Sequence, residues 1–168
     1  PFARSIRAVA MIPGTGEYSL ATRPVRLAEG FAAGRSVNQH SPTGRTDLVV
    51  SLEQLRREVP GCGSVSLVVS WFGDDLRCGQ CRIRPKVEQK LQDGIGMPWR
   101  AGGITRDAAQ EVPRIEGASL YGGTPADGAV IEAIAAIRAG GQEVMFYPFI
   151  LMDQWRGNGR PDPWSGAA

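Results

Sequence analysis

The chain has 168 residues, with 19 Lys and Arg against 17 Asp and Glu, and a net charge of +2, so no strong field draws it to nucleic acid or an anionic membrane. Its length suits one domain of ordinary size, and 42% hydrophobic against 21% charged residues is a globular rather than a disordered composition. The longest apolar run, residues 144–152, is half the roughly 18 residues that a membrane span needs.

Glycine (22) and proline (12) are spread between the apolar segments, which predicts that loops carry much of the chain. The sequence starts at Pro1 with neither a basic nor an apolar leader region, so no signal peptide is seen. It stops in a stretch that reads as mid-loop, and the expectation is an excerpt of a longer protein.

Residues 5–21 alternate loosely around Val9, Met11 and Ile12, break at Pro13-Gly14-Thr15-Gly16, and resume at Tyr18 and Leu20; this predicts a hairpin. Residues 23–45 lose the pattern and read as an extended loop, so residues 1–45 are expected to form a hairpin and loop ahead of a domain at 46–168. Ser51 with Gln54 makes a capping box before Leu52, Leu55 and Val59, predicting a helix that ends at Pro60-Gly61. Residues 64–72 are β-branched and aromatic with only small polar residues, as in a strand buried on both faces of a parallel sheet. A loop follows to about Gly103, then a short helix from Thr105 to Val112. Thr124, Pro125 and Asp127 start a helix that reaches Ala139 through Val130, Ile131, Ile134 and Ile137, and residues 143–152 form a second buried strand. The order is an α/β alternation, and the right-handed βαβ rule places the two strands adjacent and parallel, with the helix packed outside them.

In parallel α/β folds chemistry gathers at the carboxyl ends of strands. The first strand ends in Trp71-Phe72-Gly73-Asp74-Asp75 and the second in Leu151-Met152-Asp153-Gln154-Trp155, each a carboxylate beside an aromatic. Neighbouring strands about 4.8 Å apart would set such side chains roughly 5–10 Å apart, a range that includes both glycosidase geometries. Asp74, Asp75 and Asp153 are therefore candidate catalytic residues, against the alternative that they cap turns or sit in ion pairs. Trp71, Tyr147 and Trp155 are the candidate sugar-stacking faces; Trp99 and Trp164 are read as core or interface.

Cys78-Gly79-Gln80-Cys81 is half of a zinc pattern, but a strand at 64–72 puts Cys62 and Cys78 at opposite ends, about 27–30 Å apart, so no metal site is expected and the thiols read as free. Arg77, Arg82, Arg84 and Lys86 form a basic cluster that is either solvated or meets an anion. Gly14-Thr15-Gly16 lacks the rest of a P-loop or dinucleotide motif and is a turn. His40, the sole imidazole, lies in an irregular segment and gives triad chemistry little support.

Two strings carry a family resemblance: residues 64–78, SVSLVVSWFGDDLRC, and residues 121–153, from YGGTP to MFYPFILMD. The chain resembles the glycoside hydrolase-like TIM-barrel domain of phage and gene-transfer-agent tail proteins, the large host-specificity or baseplate "megatron" proteins. The resemblance implies the N-terminal part of a (β/α)8 barrel, with residues 46–168 as its first βα units. It implies a tail-tip or baseplate component of the virion, assembled in the bacterial cytoplasm, that acts on or binds host surface polysaccharide or peptidoglycan beside other tail proteins. No cofactor, nucleic acid or membrane span is expected. A glycosidase domain and a non-catalytic structural or glycan-binding module remain the two alternatives, because barrels host many functions.

Overall fold

The computed structural model describes residues 2–29, 32–153 and 159–160. After a 3-10 turn at Phe2–Arg4 come β1 (Ala8–Met11), β2 (Arg26–Glu29), β3 (Ala32–Ser36), α1 (Asp47–Glu58) and β4 (Ser64–Gly73). Seven two-residue strands follow: β5 (Ile83–Arg84), β6 (Lys86–Val87), β7 (Arg100–Ala101), β8 (Ile104–Thr105), β9 (Gln110–Glu111), β10 (Arg114–Ile115) and β11 (Ala118–Ser119). Then come α2 (Asp127–Ala139) and β12 (Glu143–Met152).

One sheet organises the molecule. β4 is its central strand, with β1 and β12 parallel on its two sides and β5 antiparallel to its last two residues. The remaining strands pair off as β2 with β3, β6 with β9, β7 with β8 and β10 with β11. This overturns the expected fold class. Strand outweighs helix, 30% against 19%, only two α-helices occur among the described residues, and most strands lie in small sheets of mixed direction. The chain is therefore not the N-terminal part of an α/β (β/α)8 barrel built from alternating units. The reason lies between β4 and α2, where Gly and Pro interrupt every apolar run before it can extend a strand or complete a helix, so the backbone settles its hydrogen bonds in two-residue ladders.

The two long apolar runs nonetheless lie side by side and parallel, from Glu143 opposite Ser64 to Met152 opposite Gly73. Alternation along β4 buries Val65, Leu67 and Val69, and these join Leu48, Leu52 and Leu55 of α1 and Ala129, Val130, Ala133 and Ile137 of α2 in one core. Each such Leu, Ile or Val contributes about 1.5–3 kcal/mol by leaving water. Ile131, expected on the packed face, is 66% exposed.

The other corrections are local, and each has a cause. Residues 5–21 are not a hairpin: β1 crosses over through α1 to pair in parallel with β4, and a tight turn replaces the return strand. The expected loop at 23–45 holds the β2–β3 hairpin, tied by buried Asn38, whose Oδ1 accepts from Val25 N and whose Nδ2 donates to Arg23 O, both at 2.9 Å. α1 starts at Asp47 rather than Ser51 because Asp47 is already anchored, its carboxylate accepting from His40 N at 3.0 Å and meeting His40 Nδ1 at 2.8 Å. The expected helix at 105–112 is a single turn between β8 and β9, since Arg106 points inward to an acid. α2 starts at Asp127 because Thr124 is held extended against Lys86, donating from its N to Lys86 O and accepting from Lys86 N at its Oγ1.

β12 is not a buried strand. Met145, Phe146, Tyr147 and Phe149 are 44–59% exposed, and β4 is its only partner among the described residues. Glu143 N donates to Gly63 O and Asp153 N to Gly73 O. With unbroken register between them, the odd-numbered residues turn their N–H toward β4 and the even-numbered ones turn outward. Pro148, which has no N–H, falls in the outward series.

Candidate functional site

A cavity of about 490 Å³ opens on the face of the sheet opposite the helices, at its carboxyl end. Its floor is Val68 and Ser70 of β4 with Phe149 and Leu151 of β12, placed there by strand alternation. Its rim is the segment after β1, from Ile12 to Gly16, together with Glu88 and residues 119–122. Phe72, 1% exposed, lies beneath the rim and meets the Tyr121 ring at 6.2 Å, while Tyr147 continues the aromatic surface 6.3 Å from Phe149.

Two rim loops close against each other through glycine. A Cβ on Gly122 would lie 2.9 Å from both Gly16 Cα and Thr15 C, backbone atoms that have no rotamer to yield, and Gly16 itself has φ of +121°, which few L side chains adopt. Gly122→Ala should therefore open the rim and lower stability by about 1–3 kcal/mol. The drop in melting temperature should be about 2–4 °C for each kcal/mol, whereas Gly63→Ala, where nothing lies within 4 Å, should leave it unchanged.

The carboxylate at the rim is held from below. Glu88 Oε1 accepts from Gly123 N at 3.1 Å, and Glu88 N donates to Glu17 Oε1 at 2.7 Å. Glu17, 5% exposed, is paired with the buried Arg106 guanidinium. Arg106 also donates to Gln89 O at 2.7 Å and Tyr18 Oη at 3.0 Å, and its guanidinium lies 5.9 Å from the Trp99 ring centre. Tyr18 donates onward to Asp93 at 2.7 Å. Burial raises the Glu17 carboxyl above its usual range, with the Arg106 hydrogen bond pulling the other way. Burial would raise Asp93 too, but hydrogen bonds from Tyr18 and from the N–H groups of Trp99 and Gly94 hold it below the ordinary carboxylate value.

None of the expected catalytic carboxylates lines this cavity. Asp74 accepts from Arg82 N at 2.8 Å, the main cause of its lowered pKa, and lies 3.9 Å from Arg160. Asp75 is gripped by the Arg77 side chain at 2.7 and 3.0 Å and by its N–H at 3.0 Å, which holds its carboxyl far below the usual range. Asp153 is buried against Lys86, and its Oδ1 has no hydrogen-bond partner among the described residues. Burial depresses the Lys86 ammonium, opposed by the charge of Asp74.

The aromatic candidates divide as well. Trp71 packs over Gly102, away from the cavity. Tyr147 stands exposed beside it, and Trp155 lies outside the described residues, as does Trp164. Trp99 is core, its Nε1 donating to Thr124 O at 2.8 Å. The basic cluster has come apart, since Lys86 is buried and Arg77 engaged, while Arg82 and Arg84 are exposed. Among the described residues no three His, Cys, Asp or Glu converge to hold a metal, and no helix is long and apolar enough to cross a membrane.

Glu88, Tyr121 and Phe149 escape a reading of the sequence because their relation is purely tertiary. The hint available was Tyr121-Gly122-Gly123, a glycine pair beside an aromatic, of the kind that permits close backbone approach. A scan against protein-family models and a search of curated proteins find no match to the chain.

Proposed function

We propose that the chain is a glycan-binding part of a phage or gene-transfer-agent tail-tip protein, and that its cavity takes a sugar of the host cell envelope. The observation that carries this reading is the joint presence of Glu88, Tyr121 and Phe149 on one cavity of ligand size. Saccharides are recognised by flat apolar ring faces laid on aromatics and by hydroxyls shared with a carboxylate or hydroxyl oxygen. Thr15, Ser70 and Ser119 add hydroxyls, and about 490 Å³ falls within the usual range of roughly 300–1,000 Å³. The resemblance of residues 64–78 and 121–153 to tail host-specificity proteins supplies the setting.

Binding is favoured over hydrolysis by the charge count at the site. Glu88 is the sole charged side chain among the described lining residues, whereas retaining and inverting glycosidases each need two carboxyl groups across the sugar. A single negative charge also selects for neutral or amino sugars and against uronic or sialic acids.

Titration calorimetry of the chain with β-1,4-linked N-acetylglucosamine oligomers, the glycan class of peptidoglycan, tests the reading. Binding is expected, weakened about twofold to thirteenfold by Tyr121→Ala or Phe149→Ala, the effect of losing about 0.5–1.5 kcal/mol of ring contact, and abolished by Glu88→Lys. Absence of binding to these and to neutral polysaccharides from host envelopes would overturn the reading. Release of reducing ends, lost in Glu88→Gln, would replace it with catalysis.

A further inference from the structure

The segment after β4 contains a feature that the cavity does not use. The carbonyl of Arg77 accepts from Gln80 N at 2.9 Å and from Cys81 N at 3.0 Å. Two bonds into one carbonyl make residues 77–81 a single helical turn, on which side chains three apart lie on the same side. Side chains three apart on such a turn have Cβ atoms about 5–6 Å apart, so a disulfide between them, whose Cβ atoms lie about 3.5–4.5 Å apart, closes by drawing the turn in by about 1–2 Å.

Cys78 and Cys81 stand three apart on this turn. Cys78 is exposed and Cys81 half-buried, with the Cys81 sulfur only 3.0 Å from where a Gly73 Cβ would sit, so it rests on the fixed end of β4. Gly79, between them, has open space on the side where a Cβ would project, so no neighbour packs against that side of the turn. Cys62 is a built-in contrast: it is buried, and its Sγ donates to Ser64 O at 3.3 Å. Arg82 and Arg84, both exposed, follow directly and favour an anionic reagent.

We propose that Cys78 and Cys81 are a dithiol–disulfide pair that exchanges with low-molecular-weight anionic disulfides of the glutathione type. Cys78, the accessible thiol, attacks one sulfur of the small disulfide as its thiolate, forming a mixed disulfide and expelling one small thiolate. Cys81 then attacks the Cys78 sulfur, closing the 78–81 bond and expelling the second thiolate. The protein gives up two electrons and two protons, and the small disulfide becomes two thiols. The closed bond locks the turn whose first residue, Arg77, grips Asp75.

The test treats the native full chain with glutathione disulfide and counts free thiols with mass analysis and peptide mapping. The expected result is loss of two of the three thiols, a product two hydrogens lighter with a 78–81 bond, and full recovery on reduction with dithiothreitol. Cys81→Ser, which lacks the resolving thiol, should instead retain one glutathione on Cys78. Three surviving thiols in the wild type, a glutathione adduct that never closes, or a bond between two chains would each overturn the proposal.

Discussion

Arg106→Met should lower the stability of the fold by about 3–5 kcal/mol, read as a fall of roughly 2 M in the urea midpoint for a slope near 2 kcal/mol/M. The size follows from what the guanidinium leaves behind. Glu17 and Arg106 have side chains 5% and 4% exposed, and Arg106 Nε lies 3.0 Å from Asp93, so its removal strands one carboxylate inside the protein and weakens the hold on another. Truncating one partner of a buried pair is far more damaging than replacing both, because the survivor keeps its desolvation cost. Glu17→Gln with Arg106→Met should therefore recover much of the loss. The effect has a pH signature of definite sign. Burial already raises the Glu17 carboxyl, and without its cation the folded value rises further above the unfolded one. A group raised on folding contributes stability that is complete below its unfolded pKa and is lost as pH rises through its folded pKa. The deficit of the Arg106→Met chain should thus be larger at pH 7 than at pH 4.5. Because Glu17 also fixes the Glu88 backbone, glycan affinity should fall in the same variant even where the chain remains folded.

Lys86→Met should cost a similar amount, about 3–5 kcal/mol, at the other buried pair. Lys86 and Asp153 have side chains 7% and 1% exposed, and Asp153 Oδ1 already lacks a hydrogen-bond partner among the described residues, so removing the ammonium leaves neither oxygen compensated. An acid left at that depth without its cation keeps its full desolvation cost. Lys86→Met with Asp153→Leu, which removes both charges, should fold at least as stably as the wild type. Urea unfolding of the two variants and the parent at pH 7 checks both expectations. A single variant as stable as the parent would show that the pair is solvated in solution.

The parts of this fold that can be read in the sequence are those with strong periodicity. Residues 64–72 are β-branched and aromatic, residues 143–152 are apolar and aromatic on both sides of Pro148, and their adjacency follows from a helical crossover between parallel strands. Val130 and Ile137 follow from helical spacing, whereas Ile131 does not, because an apolar residue at the margin of a helix face is left to solvent when the neighbouring layer is small. The seven two-residue strands are invisible in advance: a pair of residues has no period, and its partner is fixed by tertiary contacts such as Thr124 against Lys86. The same limit hid the cavity. Asp74, Asp75 and Asp153 attract attention by standing after strands, yet each is engaged by Arg or Lys or by backbone, and the cavity takes its carboxylate from Glu88, next to a two-residue strand. What local reading does not supply is which polar groups the fold has already engaged, as Lys86 engages Asp153 across 67 residues.

The position of Pro148 governs how this molecule meets its own kind. A long aromatic strand with a free side is the usual template for runaway self-association, since a second chain can zip onto its row of amides. Among the described residues no strand pairs with the outward row, and it is broken at its midpoint: Val144 and Phe146 offer donors on one side of Pro148, Ile150 and Met152 on the other, and none stands between. An incoming strand is restricted to two short, separate grips, too little to nucleate a fibril, while the bond-bearing side of β12 toward β4 is untouched. The chain thus keeps a sticky aromatic surface beside its cavity without keeping a continuous seam for copies of itself.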